Sequence, residues 1–219
     1  MAEACARAQR PVTDVTLLAV SKTFSPEAVR EAHEAGQRAF GENYIQEAVE
    51  KITLLHDLQL EWHCIGPVQS NKTRLVAGHF DWVHTVDRLK IAQRLSEQRL
   101  PERAALQVCI QVNVDGGSTK AGVGPGEALA LAREIHDLPR LKLRGLMTIP
   151  EPAADHASQY AVHRRARELF DELNGAGLGL DTLSMGMTAD LEAAIEAGST
   201  MVRVGTAIFG VRPARQQQQ

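Results

Sequence analysis

Short apolar runs rich in β-branched residues alternate with helical patterns along almost the whole chain, and this alternation constrains the fold more than any single residue does. Strands are expected at Thr16–Ser21, Arg38–Gly41, Glu61–Ile65, Trp82–Thr85, Leu106–Val114, Lys142–Thr148, Thr182–Met185 and Met201–Val204. Between them, the spacing of apolar residues predicts helices over Pro26–Ala35, Tyr44–Leu55, Asn71–Ala77, Arg88–Gln98, Gly126–Asp137, Ala157–Asn174 and Ala189–Ala197. Gly36, Gly78, Gly175 and Gly198 stand where left-handed helix stops would fall. Strands and helices in this order imply a parallel sheet with right-handed crossovers. Eight repeats imply an α/β fold closed into a single (β/α)8 TIM barrel. No glycine-rich dinucleotide loop follows the first strand, which also counts against an open doubly wound sheet. No linker or shift of composition divides the chain. The expected organisation is a short N-terminal segment over 1–15, one barrel over 16–213, and a disordered tail over 214–219.

With 219 residues, 44% of them hydrophobic, the chain can bury one sizeable core. A net charge of −3 without a basic block argues against nucleic acid as the main partner. No apolar run is long enough to cross a membrane and no signal peptide is recognisable, so a soluble cytoplasmic protein is expected. Cys5, Cys64 and Cys109 are odd in number and lack metal-ligand spacing, and they read as reduced thiols. His63 and Cys64 are adjacent in a strand and point to opposite faces, while His56, His79 and His84 lack an HExxH-like spacing. No metal is assigned.

Period-two alternation sorts each strand into an inner and an outer row. If Lys22 points inward, so do Val20 and Leu18, while Leu17, Ala19 and Ser21 face the helices. If Arg203 points inward, Val202 and Val204 pack outward. In the fifth strand Val108, Ile110, Val112 and Val114 form the apolar outer row, leaving Gln107, Cys109, Gln111 and Asn113 inside. That interior is more polar than packing requires, and a polar ligand would explain it.

Lys22 ends an apolar run and is followed by a helix start, with Ser25 as cap and Pro26 in the first turn. It reads either as a solvated lysine at a strand end or as an amine that forms a Schiff base with an aldehyde, because a low-dielectric site favours the neutral nucleophile. Arg203, inside the last apolar strand, cannot shed its proton. It needs an ion pair, with Glu42 or Asp190 as candidates, or it faces the ring nitrogen of a bound pyridine and keeps that nitrogen unprotonated. Phosphate in such barrels is commonly held after strands seven and eight. Ser184, Thr188, Gly205 and Thr206 lie there, with helix capping as the plainer role for Ser184 and Thr188.

Six ordered motifs are Ala19-Val20-Ser21-Lys22-Thr23, Phe40-Gly41-Glu42-Asn43-Tyr44, the stretch Trp62 to Lys72, Arg144-Gly145-Leu146-Met147, Ser184-Met185-Gly186-Met187-Thr188, and the stretch Val202 to Gly210. Together they resemble the YggS/PROSC family of pyridoxal 5'-phosphate homeostasis proteins. The resemblance implies a barrel like the N-terminal domain of alanine racemase, fold type III among proteins that bind pyridoxal 5'-phosphate (PLP), with the cofactor held as an internal aldimine. It implies Lys22 as the Schiff-base lysine and Arg203 opposite the pyridine nitrogen. Ser184, Gly205 and Thr206 are implied at phosphate contacts and Asn43 near the ring, with Met147 and Thr188 also among the cofactor-binding residues. Lys120 resembles a second lysine suspected of handling the cofactor. Three departures stand out: Thr188 replaces a serine, Met185 replaces a leucine, and the N-terminal helix is shortened.

The function so implied is intracellular PLP homeostasis, by buffering or delivery, with no dedicated reaction. The partners implied are PLP itself and PLP-dependent apoenzymes or PLP-synthesising enzymes, with a monomer as the expected state. The competing reading is a PLP-dependent racemase or decarboxylase. Racemases of this fold carry a second, β-rich domain, for which the chain leaves no material after strand eight, and a carbanion step needs a second acid or base. A lysine aldolase without cofactor would explain Lys22 but leave Arg203 without a role.

Overall fold

Eight parallel strands pair in chain order and the last pairs with the first, so the sheet closes into a barrel; this computed structural model describes residues 1–117 and 121–210. The strands are β1 (Thr16–Val20), β2 (Ala39–Glu42), β3 (Glu61–Cys64), β4 (Trp82–Val86), β5 (Leu106–Gln111), β6 (Leu141–Met147), β7 (Thr182–Met187) and β8 (Met201–Val204). The helices are α1 (Ala2–Arg7), α2 (Pro26–Glu34), α3 (Ile45–Leu54), α4 (Thr73–His79), α5 (Leu89–Gln98), α6 (Pro125–His136), α7 (His156–Gly175), α8 (Leu191–Glu196) and α9 (Thr206–Phe209). Lys120 and the expected tail over 214–219 lie outside the described residues.

Local chemistry starts the helices where the sequence indicates. Ser25 Oγ accepts from the Ala28 N–H and Pro26 occupies the first turn of α2. Glu127 reaches back to the Gly124 N–H at 3.0 Å at the start of α6, and Asp155 accepts from Ser158 N–H at 2.9 Å at the start of α7.

The barrel has two buried layers. Outward residues such as Ala19, Phe40, Cys64, Val108, Ile110 and Leu183 pack beneath the helices. Inside, Leu18, Val20, Ile65 and Met201 form one apolar cluster and Trp82, Cys109 and Met147 another. Val202 and Val204 face outward, as Arg203's inward position requires. Buried His63, His84, Gln111, Ser184 and Arg203 make the interior polar. Burial pushes the thiols of Cys64 and Cys109 up to about 12, which keeps them protonated and unreactive.

Several boundaries differ from expectation. β5 stops at Gln111 rather than Val114, and α4 begins at Thr73 after a 3₁₀ turn over Ser70–Lys72. Only Gly36 and Gly198 of the expected stops adopt the left-handed conformation; Gly78 is inside α4 and Gly175 is the last residue of α7. Two short helices, α1 and α9, lie outside the expected set, because neither is long enough to show a period. In the N-terminal segment, Ala4 and Cys5 of α1 pack with Ile195, Val202 and Val204, and Arg10 donates to the carbonyls of Ile195 and Ser199 at 2.8 and 2.7 Å.

β6 and β7 lie tightly together at Gly145. A Cβ there would stand 1.7 Å from the Thr182 carbonyl oxygen, which is backbone and cannot swing away. Gly145→Ala is therefore expected to lower stability by at least about 2 kcal/mol, read as a lower urea midpoint.

Candidate functional site

The carboxyl ends of the strands carry the site, and its best-defined part is the turn after β1. Lys22 is half-buried in that turn, between two residues held by one polar cluster. Ser21 Oγ donates to Glu42 Oε1 at 2.7 Å, and the Ser21 carbonyl accepts from Lys51 Nζ at 3.0 Å. On the other side, Thr23 N–H donates to Glu47 Oε1 at 2.8 Å. Thr23 has φ 69°, a strained conformation for a β-branched residue, so the Glu47 bond fixes an otherwise unfavourable turn. Lys51 Nζ sits 2.6 Å from Glu42 Oε1 and 3.3 Å from Glu47 Oε1, and the Glu42–Lys51 pair is fully enclosed. Burial raises the Glu42 carboxyl above the usual carboxylate range, and the charge and hydrogen bond of Lys51 offset that only in part.

Asn43 follows directly after β2. Gly66 fits against its backbone so closely that a Cβ would meet the Asn43 carbonyl oxygen at 2.2 Å. On the other flank of the β1 turn, Thr188 is exposed in the turn between β7 and α8, and Thr206 is exposed at the start of α9, just after Gly205. Phe24 stacks on Phe209 at 4.9 Å, which ties the turn carrying Lys22 to α9.

Arg203 lies in the interior below these loops. Its guanidinium donates to Ser184 Oγ and to the Thr148 carbonyl, both at 2.8 Å. Burial lowers its pKa to about 10, which still leaves it cationic at neutral pH. Ser184 Oγ is also 3.0 Å from His84 Nδ1. His84 Nε2 lies 2.9 Å from His63 Nδ1, and His63 Nε2 lies 2.8 Å from Glu61 Oε1. Burial lowers both histidines, His84 well below the ordinary value, while the His63 bond holds the Glu61 carboxyl low.

The expected residues therefore fall into two groups. Lys22, Asn43, Thr188, Gly205 and Thr206 follow the ends of their strands, at the mouth. Ser184 lies within β7 and Met147 is the last residue of β6, and both are fully buried. Ser184 is the third residue of β7, four positions before Thr188, a separation of about 13 Å along an extended strand. One phosphate cannot span that distance, and the Ser184 hydroxyl is already engaged by Arg203 and His84. Met147 is fully buried against Trp82 and Cys109. Capping explains neither hydroxyl: the N-cap of α8 is Asp190, whose Oδ1 accepts from Met187 N–H at 2.6 Å. Nor does either proposed ion pair of Arg203 form. Glu42 bonds Lys51, and Asp190 Oδ2 lies 2.9 Å from His163 Nε2. Burial pushes the Asp190 carboxyl up, but the His163 and Met187 bonds outweigh it and leave it low. His63, His84 and Glu61 were not expected to join the site; their alternate positions in β3 and β4 placed them inside, without indicating that they bond.

Among the described residues, four buried side-chain oxygens close to strand carboxyl ends, Thr23 Oγ1, Glu42 Oε2, Asn43 Oδ1 and Thr148 Oγ1, lack a hydrogen-bond partner. Native interiors rarely leave such atoms unsatisfied, and a polar ligand at the strand ends would give them partners.

Residues 1–213 match the family described as "Alanine racemase, N-terminal domain". A Pseudomonas aeruginosa protein named "Pyridoxal phosphate homeostasis protein" is 60% identical over 210 residues, covering 96% of this chain and 90% of the relative. The solved structure of PipY from Synechococcus elongatus with PLP bound aligns with a TM-score of 0.83 at 39% identity, over 95% of this chain and 99% of that one. An alanine racemase from Clostridium difficile shares the fold, with a TM-score of 0.78 at 16% identity, over 98% of this chain and 56% of that one.

Removing Lys51 strands a buried carboxylate. Lys51→Met is expected to cost about 3–5 kcal/mol of unfolding free energy, partly recovered when Glu42→Gln is added, as a double-mutant cycle by urea denaturation would measure.

The two interior histidines give a second expectation. Both bind protons less readily folded than unfolded, so their contribution is fully present above the ordinary histidine pKa of 6.5 and is lost as pH falls below it. Unfolding free energy should be lower at about pH 5.5 than at about pH 7.5. The difference should shrink in His84→Gln.

Proposed function

Because the chain belongs to the family of pyridoxal phosphate homeostasis proteins, we propose that it binds PLP and serves intracellular homeostasis of that cofactor, by buffering or delivery in the cytoplasm, without a dedicated reaction of its own. The observation that carries this reading is the clamped turn after β1, which holds Lys22 at the mouth of the barrel between Ser21 and Thr23. The residues present fit the cofactor. The unpartnered oxygens of Thr23, Asn43 and Thr148 suit a ligand rich in polar groups, and a buried cation bonded to two neutral acceptors suits an anionic one.

When bound, PLP supplies an aldehyde that a lysine amine takes up reversibly and a ring that draws electrons from an attached amine. In this reading Lys22 holds the aldehyde, Asn43 lies beside the ring, and Thr188, Gly205 and Thr206 receive the phosphate. Arg203 faces the ring nitrogen. A guanidinium there donates hydrogen bonds and keeps its proton, so it leaves the nitrogen unprotonated and the ring a weak electron sink. Ser184 and Met147 act one layer below, Ser184 by engaging Arg203 and Met147 by packing. A weak sink suits storage and release better than turnover, and the names of the curated relatives support the same reading. The likeness to alanine racemase is one of fold. Recipients would be PLP-dependent apoenzymes, with PLP-synthesising enzymes as donors, exchanging cofactor with a monomeric barrel through its mouth.

Loading the protein with PLP, reducing it with borohydride and mapping the adduct by peptide mass should find the label on Lys22. Lys22→Ala should lose the visible absorbance of the bound cofactor while keeping the fold. An adduct found only on another lysine, such as Lys72, would overturn the assignment.

A further inference from the structure

Five side chains run in one hydrogen-bonded line through the barrel. Glu61 opens β3 at the amino-terminal face, exposed in a cleft of about 670 Å³ that Asp81, Trp82 and Arg144 also line. From it the line passes to His63, crosses to His84 on β4, then to Ser184 on β7, and ends at Arg203 on β8, each step 2.8–3.0 Å. The line crosses the interior from strand to strand rather than following any one of them.

Chemistry at the two ends dictates the direction of every bond. Arg203 has only donors, so Ser184 Oγ accepts from it. An ionised Glu61 only accepts, so His63 carries its hydrogen on Nε2. A neutral His63 then offers a lone pair at Nδ1, which accepts from His84 Nε2–H. That leaves His84 Nδ1 to accept from the Ser184 hydroxyl. With both rings neutral, this single arrangement satisfies all four contacts, and each bond polarises the next.

We propose that Glu61, His63, His84 and Ser184 are positioning residues forming a one-way hydrogen-bond relay, which gives Arg203 a polarised acceptor and links the far face of the barrel to the cofactor end. The link to the cofactor rests on the reading that Arg203 faces its ring. One added proton reverses the relay. With hydrogen on both nitrogens of His63, Nδ1–H must donate to His84 Nε2, so His84 carries its hydrogen on Nδ1 and donates to Ser184. The hydroxyl beside Arg203 then receives two donors. The charges facing the two rings are Glu61 and Asp81, which favour protonation of His63, and Arg203, which opposes it at His84; Arg144 helps keep Glu61 ionised. Trp82 stacks on His63 at 5.2 Å and adds no charge.

The test is ring-nitrogen NMR of the full-length chain, ¹⁵N-labelled at histidine, near neutral pH and without PLP. His63 and His84 should both be neutral with hydrogen on Nε2, and the surface substitution Glu61→Gln should shift the ring nitrogens of His84, which lies beyond His63. Hydrogen on His84 Nδ1 in the unaltered protein, or a response to Glu61→Gln that stops at His63, would overturn the relay. In the loaded protein Glu61→Gln should move the pH midpoint of the cofactor's visible absorbance, and an unmoved midpoint would overturn the link to the cofactor. Failure to load PLP on Lys22 would instead sink the proposed function and leave the tautomer result standing.

Discussion

The buried pair of Glu42 and Lys51 organises the mouth of the barrel. Desolvating both charges is expensive, and such a pair adds little to stability over an apolar replacement. Its return is positional. Lys51 comes from α3, Glu42 from the end of β2, and the Ser21 carbonyl from the turn after β1. One ammonium with directional donors therefore sets three elements relative to one another. Lys22 inherits its place from that arrangement, because both of its neighbours are tied to the same cluster.

Below the mouth, the interior meets a second constraint. A guanidinium this deeply enclosed must keep its hydrogen-bond donors satisfied, and Arg203 does so with a serine hydroxyl and a backbone carbonyl. Neutral acceptors satisfy its N–H groups without cancelling its charge, which stays focused in a low-dielectric channel. A carboxylate bonded at the same place would have neutralised it. The difference matters for any anionic ligand arriving from the mouth.

Much of this was legible in the sequence, for identifiable reasons. The strand and helix order is visible because each strand is short, apolar and bounded by turn residues, and the inward row of β5 is visible because side chains alternate with period two. Arg203 between Val202 and Val204 announces an inward cation by the same rule. The partners of that cation were not legible. Ser184 and Thr148 reach it only because β6, β7 and β8 are staggered in the closed barrel, and sequence spacing carries no record of stagger. The depth of Ser184 against Thr188 was hidden for the same reason, since both lie in one short motif. Lys51 gave no signal at all; it looks like any helix-surface lysine until α3 is docked and its Nζ meets Glu42.

The pairing of β1 with β8 also fixes when the site comes into being. The turn after β1 and α9 lie far apart in the chain, yet they meet through Phe24 and Phe209. Until β8 is added, β1 presents an unpaired edge, and the two halves of the mouth have nothing to hold them together. A ligand held at the seam between β1 and β8 would stabilise that closure by mass action.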